Sequence, residues 1–314
     1  MEAIPRIGVV LSSGGVRGVY AHTGFMQAIQ NLGITVSASA GCSAGALVGG
    51  FIASGTSLER WLETLAGVTS RTFWTPDSLS SFLWKMTARR GRGYTGLSDT
   101  SAALQFTRDN LAVNTFEECL YPFHVLAMNL GTGKKKMFSE GELAPRMMAS
   151  AAMPILYDPV RIDGEYYCDG VMIDFAPTDA ICCRNQLDVV IVHYVSQHFG
   201  AQQEIGAALQ DSWAMLEIVS RLAFREKPWY QSGEPLSLRH CPCGCGAIVI
   251  AIEPELPVMR WPVTRGGDTA RHNAREQAES LLQPYLHALL NDPRKLPVPA
   301  SSVTNPASGC GTHT

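Results

Sequence analysis

Between Ala3 and Leu58 the chain contains no aspartate and no glutamate. The absence matters at Ser12-Ser-Gly-Gly-Val-Arg-Gly18, a glycine-rich turn of the kind that holds a dinucleotide between a strand and a helix. That site needs glycine at position 13, where the chain has Ser13, and an acid about 20 residues on for the ribose. Both are missing. No Gly-Lys-Ser/Thr occurs either, which excludes a P-loop. From Val36 to Leu58 there is no charge at all, yet glycine, alanine and serine dominate, and their transfer energy is too poor for a membrane span. Charge is scarce overall: 17% of residues, with a net charge of −3. No basic excess exists to hold a nucleic acid. No secretory leader is expected either, because Met1-Glu-Ala-Ile-Pro-Arg6 is charged early and the apolar run behind it breaks at Gly14 and Gly15.

Nine cysteines, an odd number, fit a reduced compartment better than a disulfide framework. A cytoplasmic protein, with contact to a membrane only from its periphery, is therefore expected. The 314 residues and 46% apolar content suffice for a large core and exclude a disordered or fibrous chain. There is no internal repeat.

The pattern along the chain alternates strand and helix. Pro5 to Leu11 reads as a short buried strand and the turn follows. A helix then runs to about Leu32, with Ala21, Phe25, Ala28, Ile29 and Leu32 on one face and Gly33 as its stop. Ile34 to Ala40 reads as a second strand and Gly41-Cys-Ser-Ala-Gly45 as a second tight turn. A helix from Ala46 to Ser54 ends at Gly55. Thr56-x-x-Glu59 and Ser139-x-x-Glu142 match capping boxes. Pro122 to Leu130 and Asp188 to Val195 read as strands, and Asp163-Gly164 as a hairpin turn. Repeated strand, turn and helix predict a largely parallel sheet with crossover helices. Residues 1–291 are expected to form one catalytic domain, and 292–314, rich in Pro, Ser and Thr, a disordered tail.

The second turn carries chemistry. Gly41-x-Ser43-x-Gly45 between a strand and a helix has the form of a nucleophile elbow, a strained turn at which larger residues would clash. The helix that follows aims its N-terminal dipole at the serine oxygen. A plain Gly-Ser turn packed against another strand is the alternative. A serine nucleophile also needs N–H donors for an oxyanion, and Gly14-Gly15 on the neighbouring turn would supply them. An ordinary α/β-hydrolase places its nucleophile deeper in the chain, with an acid and then a histidine after it.

Taken together, Gly14-Gly-Val-Arg-Gly18, Gly41-Cys-Ser-Ala-Gly45 and Asp169-Gly170 resemble the motifs of the patatin-like phospholipases. The resemblance spans about Ile7 to Pro177. It includes Ala149-Ser-Ala-Ala-Met-Pro154 and Pro159-Val-Arg-Ile-Asp-Gly164. It implies a three-layer α/β/α sandwich with a mixed, largely parallel sheet, and a lipid acyl hydrolase working through a Ser–Asp dyad and an acyl-enzyme. Carried over, Ser43 is the nucleophile and Asp169 the base. Gly14, Gly15, Val16, Arg17 and Gly18 form the oxyanion loop, braced by Arg17. The substrate would be a phospholipid, a lysophospholipid or a related ester, and no cofactor is required. Ser13 and Val171 depart from the family pattern, which usually has small residues there. An acyltransferase or a lipid-binding scaffold with little turnover would share the same residues. His22, one turn past Gly18, reads as a packing residue rather than a base.

Three further stretches stay open. His240-Cys-Pro-Cys-Gly-Cys245 sets His240, Cys241, Cys243 and Cys245 in one loop. These are zinc-type ligands, but Cys-x-Cys-x-Cys is not a common zinc spacing, so a structural zinc and a loop of free thiols are both readings. Gly206 to Phe224 is either a buried helix or the lid of an acyl pocket. The arginines and aromatics between 71 and 94 either contact lipid headgroups or form a solvated loop.

Overall fold

The computed structural model describes residues 4–195, 228–257, 259 and 264–299. Strand β1 (Ile7–Leu11) leads through the first glycine turn into α1 (Gly15–Asn31), and β2 (Val36–Cys42) through the second into α2 (Ala44–Ala53). Helices α3 (Leu58–Ala66), α4 (Ser70–Phe73) and α5 (Leu79–Thr87) precede the short β3 (Gly96–Ser98) and α6 (Ser101–Asn110). A hairpin of β4 (Phe123–Asn129) and β5 (Lys134–Phe138) leads to α7 (Leu143–Ala151) and β6 (Ile155–Tyr157), which pairs with β3. A second hairpin joins β7 (Val160–Ile162) to β8 (Glu165–Asp169). Then come β9 (Val189–His193), β10 (Leu236–His240), β11 (Ile248–Ile252), α8 (Gly267–Leu282) and α9 (Leu286–Asn291).

The sheet is mixed, with helices flanking it. Its centre, β11-β9-β1-β2-β4, is parallel, while β10, β5, β8 and β7 are antiparallel. The parallel strands are buried on both faces, which is why they read as continuous apolar runs. In β1, Ile7, Val9 and Leu11 pack on the side of α1, α2 and α7. Val10 faces the opposite side, where Val171, Phe175, Ile181 and Cys182 cover Ala38, Ala40 and Leu126. That second layer, among the described residues, is built from 3-10 turns at Gly170–Met172 and Thr178–Ala180. Lys135 clamps it to β5, bonding Asp174 and Asp179 at 2.6 Å each.

One detail of pairing positions everything else. Residues Val125 to Asn129 of β4 pair with β5 along one edge. The other edge is shared end to end by two strands. There β2 pairs as far as Cys42↔Leu126, and β8 takes over at Asp169↔Ala127. The parallel β2 and the antiparallel β8 therefore meet C-terminus to C-terminus.

Most of the expected elements are present within one or two residues. Asp163 and Gly164 have φ of 51° and 88°, the paired left-handed geometry of a two-residue hairpin turn. Two caps differ. Ser57, not Thr56, caps α3 by accepting from the Arg60 amide, while Thr56 donates to the Asn110 carbonyl. The N-cap of α7 is Glu142, three residues beyond Ser139, and it makes no side-chain cap bond. Strands β3, β5, β6, β10 and β11 are additional to the expected ones. Part of the stretch expected to be disordered is ordered: Pro293–Lys295 form a 3-10 turn and Leu296 is buried, since its apolar side chain gains a place against the core. Residues 300–314 lie outside the described residues.

Helices α1 and α8 touch backbone to backbone. A Cβ on Gly24 would lie 1.9 Å from the Arg271 carbonyl oxygen. Gly24→Ala should therefore separate the pair and destabilise the protein by about 2 kcal/mol or more. The expected result in urea unfolding is a lower midpoint with an unchanged slope.

Candidate active site

Ser43 stands at the junction of β2 and α2 with φ 53° and ψ −117°, a conformation rarely adopted by a residue with a side chain. Close packing on both sides holds it there. A Cβ on Gly41 would lie 2.4 Å from the Gly45 carbonyl oxygen, and one on Gly45 only 2.1 Å from that of Leu11. Glycine is thus required at 41 by the tight approach of the elbow to itself and at 45 by its backbone contact with β1. The Ser43 amide donates to Ser150 Oγ on α7 at 2.9 Å, and the Gly45 amide to the Ser12 carbonyl at 3.1 Å.

Asp169 ends β8 and points at the elbow. Ser43 Oγ donates to Asp169 Oδ2 at 2.7 Å. The other oxygen, Oδ1, accepts from the Val171 amide at 2.9 Å. Gly170 lets the chain turn here, because a Cβ would meet the Leu126 carbonyl at 2.5 Å. The carboxyl is only 2% exposed. Burial pushes its pKa up to about 7, against the opposing hydrogen bonds from Val171, Ser43 and Cys42. Near neutral pH the group is thus poised between its two protonation states.

Gly14 to Gly18 form the end of the first turn and the start of α1, directly beside the elbow. Gly15 has φ 57°, and the Gly14 carbonyl accepts the first intrahelical bond, from Gly18. The amides of Gly15, Val16 and Arg17 have no acceptor one turn back. Gly18 approaches the elbow helix so closely that a Cβ would meet Ala44 Cβ at 2.9 Å. Arg17 is half-buried, and burial lowers its pKa. Ser13 fits where a smaller residue was expected, its amide bonded to the Phe175 carbonyl at 2.9 Å.

His22 is buried below this turn, away from Ser43. Its Nε2 donates to the Ser12 carbonyl at 2.7 Å, so in the neutral ring Nδ1 is the acceptor. His193 Nδ1 donates to it at 2.8 Å. Burial pulls the pKa of His22 down to about 3 and that of His193 well below the usual range. His193 stacks on Phe25. The pair is a neutral strut that holds the Ser12 carbonyl in place. Among the described residues, Ser43 Oγ is paired with a carboxylate and not with a histidine.

A cavity of about 810 Å3, including its open mouth, reaches Ser43. Gly15, Val16, Ser43 and Ala44 are in its wall, and the remainder is largely apolar, including Phe51, Trp61, Phe73, Phe106 and Tyr157. No charged side chain is among the described lining residues. Sequence reading missed two parts of this site. Ser150 lay within the quoted Ala149–Pro154 motif without a role. The wall comes from α1, α2, α3, α4, α6 and α7, whereas the sequence pointed to Gly206–Phe224, which lies outside the described residues.

Of the candidate set His240, Cys241, Cys243 and Cys245, the three thiols come together, and His240 is not part of the group. Exposed His240 sits at the end of β10, and its alternating geometry keeps it apart from the thiols. Cys243 and Cys245 converge with Cys182 and Cys183, all four sulfurs lying within 4.8 Å of one another. Cys241 Sγ is 3.1 Å from Cys243 Sγ.

The fold and the elbow define a class. The family model described as Patatin-like phospholipase matches residues 9–181. The chain belongs to the patatin-like phospholipase family. An uncharacterized NTE family protein of Mycobacterium bovis is 32% identical over 183 residues, 58% of this chain and 47% of that protein. Lysophospholipase NTE1 of Cryptococcus neoformans is 28% identical over 237 residues, 70% of this chain and 14% of that protein. The chain thus spans about half the length of the mycobacterial relative and far less of the fungal one. Human GIVD cytosolic phospholipase A2 shares the fold at a TM-score of 0.53 and 10% identity, over 91% of this chain and 62% of that one.

The Asp169 environment makes a stability prediction. Its pKa is raised in the folded state to about 7 from about 3.9 in an unfolded chain. The folded state then binds the proton more tightly, so this group's stabilising contribution is complete below pH ~4 and is lost as pH rises through about 7. Asp169→Asn keeps an acceptor for the Val171 amide and never ionises. Thermal unfolding should show the variant gaining on the wild type between pH ~4 and about 7, by a few kcal/mol at most, and holding that gain above. Equal pH profiles for the two proteins would contradict the raised pKa.

Proposed function

We propose that the protein hydrolyses carboxylic ester bonds of lipids through Ser43 and Asp169. The observation that carries this reading is the 2.7 Å bond from Ser43 Oγ to a buried carboxylate at the wall of an apolar cavity. An acyl chain suits that cavity, and the family's relatives include a lysophospholipase. In the proposed reaction Ser43 Oγ attacks the ester carbonyl while Asp169 takes its proton. The first-turn amides at Gly15 and Val16 hold the oxyanion, with Arg17 bracing their loop. Asp169 then gives the proton to the departing alcohol. Water attacks the acyl-serine, Asp169 accepts its proton, and the fatty acid leaves with Ser43 restored.

A carboxylate is a weak base for a hydroxyl, so proton transfer has to accompany carbonyl attack. Burial helps here, because it makes the Asp169 carboxylate more basic than an exposed one. The strained Ser43 backbone sets the serine at the cavity wall, and its bond to Asp169 orients Oγ.

Membrane contact is proposed at α5. Leu79, Leu83 and Trp84 are 72%, 50% and 57% exposed. Arg89, Arg90 and Arg92 follow them, exposed, with Arg89 over the Trp84 ring. This combination suits an anionic interface, where apolar side chains enter and cations meet headgroups. Among the described residues no helix is long and apolar enough to cross a membrane. The preceding helix supplies Phe73 to the cavity wall, so the segment that would meet lipid is continuous in sequence with the site that would cleave it.

Ser43→Ala should lower ester turnover by at least a thousandfold and abolish labelling by a fluorophosphonate, with the fold intact. Wild-type kcat/KM should rise with pH through about 7, as Asp169 loses its proton. A folded Ser43→Ala protein that still turns over and labels normally would refute the mechanism. Separately, Leu83→Glu with Trp84→Glu should weaken sedimentation with phosphatidylglycerol vesicles about tenfold or more. Turnover of a short soluble ester should stay unchanged, since α5 does not line the cavity. Binding that is equal for the double variant would remove α5 from the interface.

A further inference from the structure

Five of the chain's nine cysteines meet at one place that the proposed ester chemistry does not use. Cys182 and Cys183 come from the segment that continues beyond Asp169. Cys241, Cys243 and Cys245 come from the β10–β11 hairpin at the end of the sheet. We propose that Cys182, Cys183, Cys243 and Cys245 form a structural tetrathiolate site for one zinc ion, fastening the Asp169-bearing segment to the sheet edge.

Geometry favours an ion over other uses of these thiols. Sulfurs at ~2.3 Å from a tetrahedral zinc stand about 3.8 Å from one another. The Cys182–Cys183 and Cys182–Cys243 sulfur pairs are 3.6 and 3.9 Å apart, and Cys183–Cys243 is tighter at 3.0 Å. All four lie within 4.8 Å of each other, so an ion at their centre needs only small adjustments. A disulfide requires sulfurs at about 2.05 Å, and five thiols cannot all pair. Inert packing explains cysteines dispersed through a core, but here burial is graded. Cys182 is buried, Cys183 and Cys243 are half-buried, and Cys245 is exposed, which leaves a route for an ion from solvent. The donor set is purely sulfur, which selects zinc or iron over magnesium, calcium or manganese.

Gly244 and Gly246, with φ of 75° and 84°, reverse the hairpin tip sharply enough to bring Cys243 and Cys245 to one side. The Cys241 amide bonds the Ala247 carbonyl at 2.9 Å, closing the base of the loop. Binding converts four thiols to thiolates. Four protons pass to solvent, and the filled site carries a net charge of −2. With four protein ligands it has no open position, so its role is structural. The linkage matters because the segment between Asp169 and Cys182 also covers the second face of the sheet and accepts the Ser13 amide at Phe175. One ion would join chain positions about sixty residues apart, across an edge that otherwise depends on β11 pairing with β9.

The test uses the full chain, purified under reducing conditions without chelator. Elemental analysis should find about one zinc per chain, released when a mercurial blocks the thiols. Cobalt added to the metal-free protein should give the visible bands of tetrahedral thiolate coordination. Zinc added back should raise the wild-type melting temperature, a readout that needs no variant to fold. Cys183→Ser and Cys243→Ser should each cut zinc content at least tenfold, whereas His240→Ala and Cys241→Ser should retain it. Loss of metal in Cys241→Ser with retention in Cys183→Ser would place the ion in the hairpin alone and overturn the two-segment site. Iron in place of zinc, a native disulfide among these cysteines, or metal-free protein that takes up no zinc would each overturn it too.

Discussion

Two strands share one edge of β4, and the candidate site depends on the place where they meet. β2 pairs as far as Leu126, and β8, running the other way, begins its pairing at Ala127. Their C-terminal ends therefore face each other across a single residue step. Ser43 follows the last residue of one strand, and Asp169 is the last residue of the other. The 2.7 Å hydrogen bond between them is a consequence of sheet register rather than of loop placement. Rigid elements of this kind hold a reacting pair more tightly than a flexible connection does. A one-residue slip of β8 would turn Asp169 to the opposite face.

Around that junction the molecule excludes water and limits movement. Gly41 lets the elbow fold tightly on itself, Gly45 lets it lie against β1, Ser150 secures the Ser43 amide, and the Ser12 carbonyl receives both Gly45 and His22. Each of these contacts is backbone or neutral, so the carboxylate of Asp169 has no cation among the partners that shift it. Lys135, on the neighbouring β5, is engaged by Asp174 and Asp179. The same burial that costs folding stability when Asp169 ionises is what makes it basic enough to serve as the proposed proton acceptor. Stability and activity thus pull in opposite directions at one side chain.

How far the sequence could be read depended on the range of each interaction. The Gly14–Gly18 and Gly41–Gly45 turns, the stop at Gly33 and the Asp163-Gly164 hairpin were legible because positive φ and tight backbone approach are local demands that few residues meet. The α1 face was legible from its 3.6-residue period. The capping of α3 was misplaced by one residue because Thr56 and Ser57 both offer a hydroxyl, and only the distant Asn110 carbonyl draws Thr56 away. The lysine-rich β5 carried no strand pattern of its own, and its place comes from pairing with β4 and from two half-buried ion pairs.

The sequence alone therefore determined the elbow, the neighbouring glycine turn and the alternation of strands and helices that makes a largely parallel sheet. Asp169 entered only through resemblance to a family, since an aspartate before a glycine is an ordinary turn. Tertiary structure decided that this aspartate faces Ser43, that Ser150 and the His22–His193 strut support the turns, and that the cavity wall comes from α1, α2, α3, α4, α6 and α7. It also divided the cysteines, setting His240 apart and bringing Cys182 and Cys183 to Cys243 and Cys245. Turn and helix signals act over a few residues and are written in them. Strand register and the convergence of segments about sixty residues apart arise from the packing of the whole chain.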